Sequence, residues 1–164
     1  MKKFLTILTI LLSINTCFSQ NGTFSVKNNL ITWEKEFSTT KTIEEVFSEL
    51  KHSPIIYEIA KEGEGYSNPI PPNCDVKGGP IYKRYPIKAL FFITKTQTGY
   101  KVTASGIVTI EPNQLNNAAL NRDNMGLALE VLALKNDNTI RTGKNHQKAL
   151  SCINQTLTSL FSVQ

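Results

Sequence analysis

The stretch "IKALFFITKTQTGYKVTASGIVTIE", residues 87–111, constrains the fold more than any other part of the chain. Two runs rich in β-branched and aromatic residues flank a short turn near Thr98-Gly99, the composition of a β-hairpin. They predict strands over about Ile87–Thr96 and Tyr100–Glu111. In the second run Tyr100, Val102, Ala104, Gly106, Val108 and Ile110 fall on one face. Lys101, Thr103, Ser105 and Thr109 fall on the other, and Ile107 breaks the alternation. Such a pattern belongs to an antiparallel strand with one face against a core. The first run is apolar on both sides at its centre, because Leu90 and Phe92 oppose Phe91 and Ile93. Its second face is either covered, most simply by the C-terminal segment or a long loop, or left as a hydrophobic groove.

The flanking segments supply the rest of the sheet and its cover. "TFSVKNNLITWEKEF" reads as another hairpin, with Asn28-Asn29 at the turn and Ile31, Trp33 and Phe37 on one face. Asparagine tolerates the positive φ that tight hairpin turns need. Thr42 and Glu45 form a T-x-x-E capping box, and Ile43, Val46, Phe47 and Leu50 follow at helical spacing. Pro54 ends that helix. "IIYEIA" fits a strand or a second short helix capped by Ser53. From Glu62 to Pro86 the glycines and prolines argue against any sustained helix or central strand, which makes a long connection. Long connections inside a compact domain are either functional or tied down. Glu111 to Asn124 reads as a loop, and "GLALEVLALKNDNTI" fits helix and strand equally, with a turn at Asn136-Asp137-Asn138. An amphipathic helix closes the chain from about Asn145 to Phe161, with Ala149, Ile153, Leu157, Leu160 and Phe161 along one face.

The N-terminal end has the form of a secretory leader. Lys2 and Lys3 precede an apolar run from Phe4 to Ile14, shorter than the roughly 20 residues of a membrane span. Cleavage after Ser19 places the small residues Cys17 and Ser19 at the positions a signal peptidase inspects. The competing reading lipidates Cys17 within "INTC", although Thr16 is bulkier than the residue usual before such a cysteine. The expected organisation is a signal peptide at 1–19 and a single α+β domain at 20–164, without a stable membrane span after cleavage.

Two of the chain's three cysteines, Cys74 and Cys152, then remain. In an exported protein an even pair favours a disulfide, here one that staples the loop "PIPPNCDVKGGP" to the final helix. The rival readings are two buried free thiols, or a reactive Cys74 beside Asp75.

Charge and motif content narrow the chemistry. The formal net charge is +5, but the basic residues are scattered along the sequence and only Lys83-Arg84 are adjacent outside the leader. A nucleic-acid partner is not expected, since such binders concentrate positive charge. His52 and His146 are isolated, so no metal site is expected. No G-x-S-x-G elbow, P-loop or cofactor motif occurs. No catalytic residue is assigned, and no cofactor is expected.

The elements "NNLITWEKEF", "NCDVKGG" and "FFITKTQTGYKVTASGIVTI", with a strand opening "GYKVT", resemble small exported bacterial domains of a family of unknown function. That family is described as having a fold similar to the TATA-box-binding protein. The resemblance implies an α+β fold, a curved antiparallel β-sheet with helices packed on one face. It transfers no activity and no catalytic residue, and fold similarity does not import DNA binding.

The expected function is therefore a non-enzymatic binding or interaction module of the cell envelope, periplasmic or secreted, with an unidentified protein or ligand as partner. Its candidate surface is the open sheet face with Leu90, Phe92, Thr103 and Ser105, together with Tyr66, Tyr82 and Tyr85 of the long loop. Aromatic side chains bury large areas at modest entropic cost. Two alternatives belong to other classes: a periplasmic inhibitor or immunity-type protein, and a small hydrolase using carboxylates such as Glu58, Glu62 and Glu64.

Overall fold

The computed structural model describes residues 22–53, 56–59, 63–74, 77–111 and 126–163. The expected leader with Cys17, the acids Glu62 and Asp75, and the Asn-rich segment 112–125, expected as a loop, lie outside the described residues. The fold is α+β, a curved, open antiparallel sheet with helices packed on it.

The first hairpin forms as its alternation requires. Strand β1 (Thr23–Lys27) pairs antiparallel with β2 (Leu30–Ser38), and Asn28 and Asn29 carry φ of 51° and 62° at the turn. Ile31, Trp33 and Phe37 of β2 are buried on one side. Helix α1 (Ile43–Lys51) follows, with the reciprocal cap in place. Glu45 N–H donates to Thr42 Oγ1 at 3.3 Å, and Thr42 N–H donates to Glu45 Oε2 at 2.7 Å. Thr42→Ala is expected to cost about 1 kcal/mol by orphaning an N-terminal donor. Urea unfolding checks this as a lower midpoint at unchanged m-value.

The ambiguous "IIYEIA" supplies strand β3 (Ile56–Ile59). The next segment corrects an expectation: despite its glycines, the connection after Glu62 contains strand β4 (Glu64–Ser67), an interior strand between β3 and β5 (Ile87–Lys95). This four-residue strand starts directly after Gly63, which turns the chain at φ +82°, and ends before Pro69. A Cβ on Gly63 would lie 2.3 Å from the carbonyl oxygen of Ile93, so this close approach requires glycine. Beyond β4, Ile70 exchanges backbone hydrogen bonds with Ile87 at 2.7 and 3.0 Å, and a short 3₁₀ helix spans Ile81–Arg84.

Strand β6 (Gly99–Thr109) pairs with both β2 and β5, giving the sheet order β1-β2-β6-β5-β4-β3. The broken alternation at Ile107 has a structural cause. Gly106 adopts φ +55°, and the β5–β6 register steps from Leu90↔Ser105 to Lys88↔Val108, which places an extra residue in β6. A glycine in the left-handed region is the first residue of a G1 bulge. The bulge reverses the facing of the rest of β6, so Ile107 and Thr109 are buried while Val108 turns outward. Placing Val108 on the core face and Thr109 on the polar one therefore fails beyond Gly106. Buried Thr109 is satisfied by donating its hydroxyl to Leu127 O at 3.2 Å.

The segment after Gly126 divides between strand and helix. A two-residue β7 (Leu127–Ala128) extends the β2 side of β6, and α2 (Leu129–Ala133) comes immediately after it. The Glu130 carboxylate of α2 accepts from the Ile31 N–H of β2 at 2.7 Å. Helix α3 (Lys144–Phe161) closes the core, burying Ile153, Leu157 and Phe161. Phe161 lies between Trp33, at 6.3 Å and near-parallel, and Phe91, edge-on at 5.0 Å. Trp33 Nε1–H donates to Asn154 Oδ1 at 2.8 Å, and the Tyr100 hydroxyl donates to Phe161 O at 2.5 Å. These polar tips are satisfied where they enter the core, as buried aromatics require.

Candidate functional site

Two features stand out once the strands are registered: an uncovered sheet face and a loop stapled to α3. The face is a direct result of pairing. Tyr66 of β4 sits opposite Leu90 of β5, and Leu90 sits opposite Ser105 of β6. In the next row Glu64, Phe92, Thr103 and Glu34 lie in sequence across β4, β5, β6 and β2. Opposed residues stand about 4.5–5.5 Å apart at Cβ, so these rows form one continuous surface. Leu90, Phe92 and Tyr66 are 41%, 44% and 43% exposed, high values for side chains of this size in a sheet.

The C-terminal helix and the long loop do not cover this face, contrary to the simpler expectation. Both pack on the opposite side. Helix α3 spends its apolar stripe on Trp33, Phe91 and Tyr100, and the loop is drawn to α3 by three ties. Asn73 N–H donates to Thr156 Oγ1 at 3.0 Å, and Lys148 Nζ donates to Lys77 O at 2.9 Å. Cys74 is joined to Cys152 by a disulfide with Cα atoms 5.2 Å apart, and within the loop the Lys83 ammonium donates to Gly78 O. The connection is thus tied down, and Cys74 is not a free thiol.

The face is chemically divided. Its β4–β5 half is the apolar cluster of Tyr66, Leu90 and Phe92. Its β2–β6 half is an ionic network in which Glu34 receives Lys27 at 2.7 Å and Lys101 at 3.7 Å. Thr103 also donates to Glu34, at 3.5 Å. The Lys27 hydrogen bond, with the charge of Lys101, holds the Glu34 carboxyl below its ordinary pKa against the opposing effect of desolvation. Thr103 and Ser105 are half-buried between the two halves.

Five of the seven surface residues read from the sequence therefore share one face: Tyr66, Leu90, Phe92, Thr103 and Ser105. Tyr82 and Tyr85 do not join them. Tyr82 is buried on the helical side, its hydroxyl 3.3 Å from His146 Nδ1, and burial raises its pKa. Tyr85 ends the 3₁₀ helix and is half-buried, its N–H donating to Tyr82 O. Both belong to loop packing.

Of the acids considered for hydrolysis, Glu64 is exposed beside Phe92, and Glu58 occupies the register position opposite Tyr66. Among the described residues no three His, Cys, Asp or Glu side chains gather as a metal site. A cleft of about 440 Å³ between the loop and α3 is lined by Ser53, Ile70–Asn73, Thr156, Ser159 and Leu160, none of which titrates near neutral pH. A second, of about 380 Å³, opens beside the disulfide and is lined by Pro72, Cys74, Lys77, Lys83 and Arg84. No helix among the described residues is long and apolar enough to cross a membrane. No family model matches the chain, and neither a curated protein nor a solved structure does so.

Proposed function

We propose that the protein is an exported, non-enzymatic binding module of the cell envelope that engages a protein partner through its open sheet face. The observation that supports this reading is the contiguous cluster of Tyr66, Leu90 and Phe92 left exposed on a sheet whose other face carries the hydrophobic core. Grouped exposed apolar side chains rimmed by polar ones mark interaction sites, whereas scattered ones carry no such meaning. Aromatic residues are also enriched at the centres of interfaces. The Cys74–Cys152 disulfide is compatible with an oxidising, exported compartment. The resemblance to exported domains with a fold similar to the TATA-box-binding protein belongs to the same reading and supplies no activity.

The test pairs capture with a surface variant. Leu90→Ser with Phe92→Ser is expected to cost about 1–2 kcal/mol, the loss of cross-strand contacts on a face outside the core, so the domain should stay folded. The tagged wild-type domain should retain a stoichiometric partner from its own envelope fraction, and the double variant should lose it. A partner held equally by both proteins, or no stoichiometric partner at all, contradicts the reading.

A further inference from the structure

Four positively charged residues that look scattered along the sequence, Lys77, Lys83, Arg84 and Lys148, come together beside the disulfide, away from the open sheet face. Lys77 and Arg84 line the pocket of about 380 Å³ beside the disulfide, and Lys83 forms part of its wall. Lys148 of α3 reaches the same place, with Nζ bonded to Lys77 O and lying 3.3 Å from where a Gly78 Cβ would stand. Lys83 is only 4% exposed and is held by the Gly78 carbonyl. Its charged form is disfavoured by burial first, and then by the neighbouring charges of Arg84 and Lys148. Helix α3 offers this cluster no acid, since Lys144–Phe161 contains none, and Asp75 is the single acid between Glu64 and Glu111. The ion pairs Lys27–Glu34, Lys101–Glu34 and Lys41–Glu49 lie elsewhere in the fold.

We propose that this pocket binds the phosphate-type group of an anionic ligand. The cations set the ligand class. Several like charges gathered around one pocket are offset best by a group carrying more than one negative charge, and a phosphate monoester carries about −1.5 to −2 at neutral pH. Arg84 offers the planar fork that matches phosphate oxygens, while Lys77 and Lys148 act as point charges. Pro72 and the disulfide give the pocket an apolar wall for the ligand's body, and the pocket volume exceeds that of a bare phosphate. The same group could come from a free phosphorylated small molecule or from a phospholipid headgroup, which share this chemistry.

Titration of isotopically labelled residues 20–164 with inorganic phosphate, followed by amide chemical shifts, tests the site. Saturable shifts concentrated at Lys77–Gly79 and Lys83–Arg84 are expected. Lys77→Gln with Arg84→Gln should weaken binding by about tenfold or more, the scale of losing a charge-assisted hydrogen bond. Both side chains are exposed, so that variant should keep the wild-type melting temperature. Lys27→Gln, on the sheet side, should leave the affinity unchanged. Sedimentation with phosphatidylglycerol vesicles separates the sources. Vesicle binding that phosphate displaces, and that the double variant loses, indicates a headgroup. Phosphate binding without vesicle binding indicates a free ligand. Non-saturating shifts, shifts spread evenly over all lysine sites, or an unchanged affinity in the double variant would overturn the proposal. These outcomes are independent of whether the sheet face binds a partner.

Discussion

Replacing Cys74 and Cys152 together with alanine is expected to lower stability by about 4.5 kcal/mol, the entropy of closing a loop of this length in the unfolded chain. The bridge spans a sequence separation of 78, so it restrains nearly half the chain before folding. In the folded protein it holds the loop onto α3 beside contacts that are individually weak. The Asn73–Thr156 and Lys148–Lys77 hydrogen bonds remain in the variant, so the loop keeps its place but the unfolded state gains freedom. For a domain of this size the corresponding fall in melting temperature is roughly 10–20 °C. Thermal and urea unfolding of residues 20–164 measure it, and a loss below about 1 kcal/mol would contradict the staple. Thiol titration of unreduced, denatured residues 20–164 should find no free thiol. Two would show that the bridge does not form.

Phe161→Ala is expected to cost about 3–5 kcal/mol, comparable to the bridge but through the folded state. The ring is fully buried near the end of α3, where it meets Trp33 of β2 and Phe91 of β5. Its removal takes away the contact by which the last turn of α3 locks onto two separate strands. The Tyr100 hydroxyl bond to the Phe161 carbonyl survives, because that partner is backbone. Neighbouring Trp33 is held by Asn154 and so moves little into the space. A cavity that cannot collapse is the costly kind. Phe161→Leu, which leaves a smaller void, should lose clearly less. Equal losses for the two variants, measured by urea unfolding, would argue against a packing role.

Much of the local architecture was legible because its signals are local. The Asn28-Asn29 turn, the Thr42–Glu45 cap and the apolar stripe of the last helix each depend on residues within a few positions of one another. Cysteine counting reached the bridge for a different reason: once a leader is set aside, only one pairing is available. Strand β4 was hidden because Gly63, Gly65 and Pro69 mask a four-residue strand that exists only through its neighbours β3 and β5. The Gly106 bulge left a visible trace, Ile107 out of phase. Its effect on Val108 and Thr109 was open until the register with β5 was known.

The candidate sites divide in the same way. That β5 is apolar on both faces is a property of the sequence, and so is the expectation that one of those faces needs a role. Which face stays open depends on where α3 and the stapled loop pack, and both lie on the side of Trp33 and Phe91. Tyr66 joins Leu90 and Phe92 by strand pairing, while Tyr82, equally aromatic and equally part of the long loop, turns into the helical side. The basic pocket is the clearest case. Lys77, Lys83, Arg84 and Lys148 carry no stripe or period in the sequence, because residues 71 positions apart become neighbours only when the loop docks on the helix. Sequence alone therefore determined the hairpins, the cap and the closing helix, all set by short-range pattern, and it favoured the staple that the packing of the loop on α3 then formed. Strand order, the bulge's reversal of facing, the open apolar cluster and the gathered positive charge were decided by tertiary structure, because each is a relation between chain segments that only packing brings together.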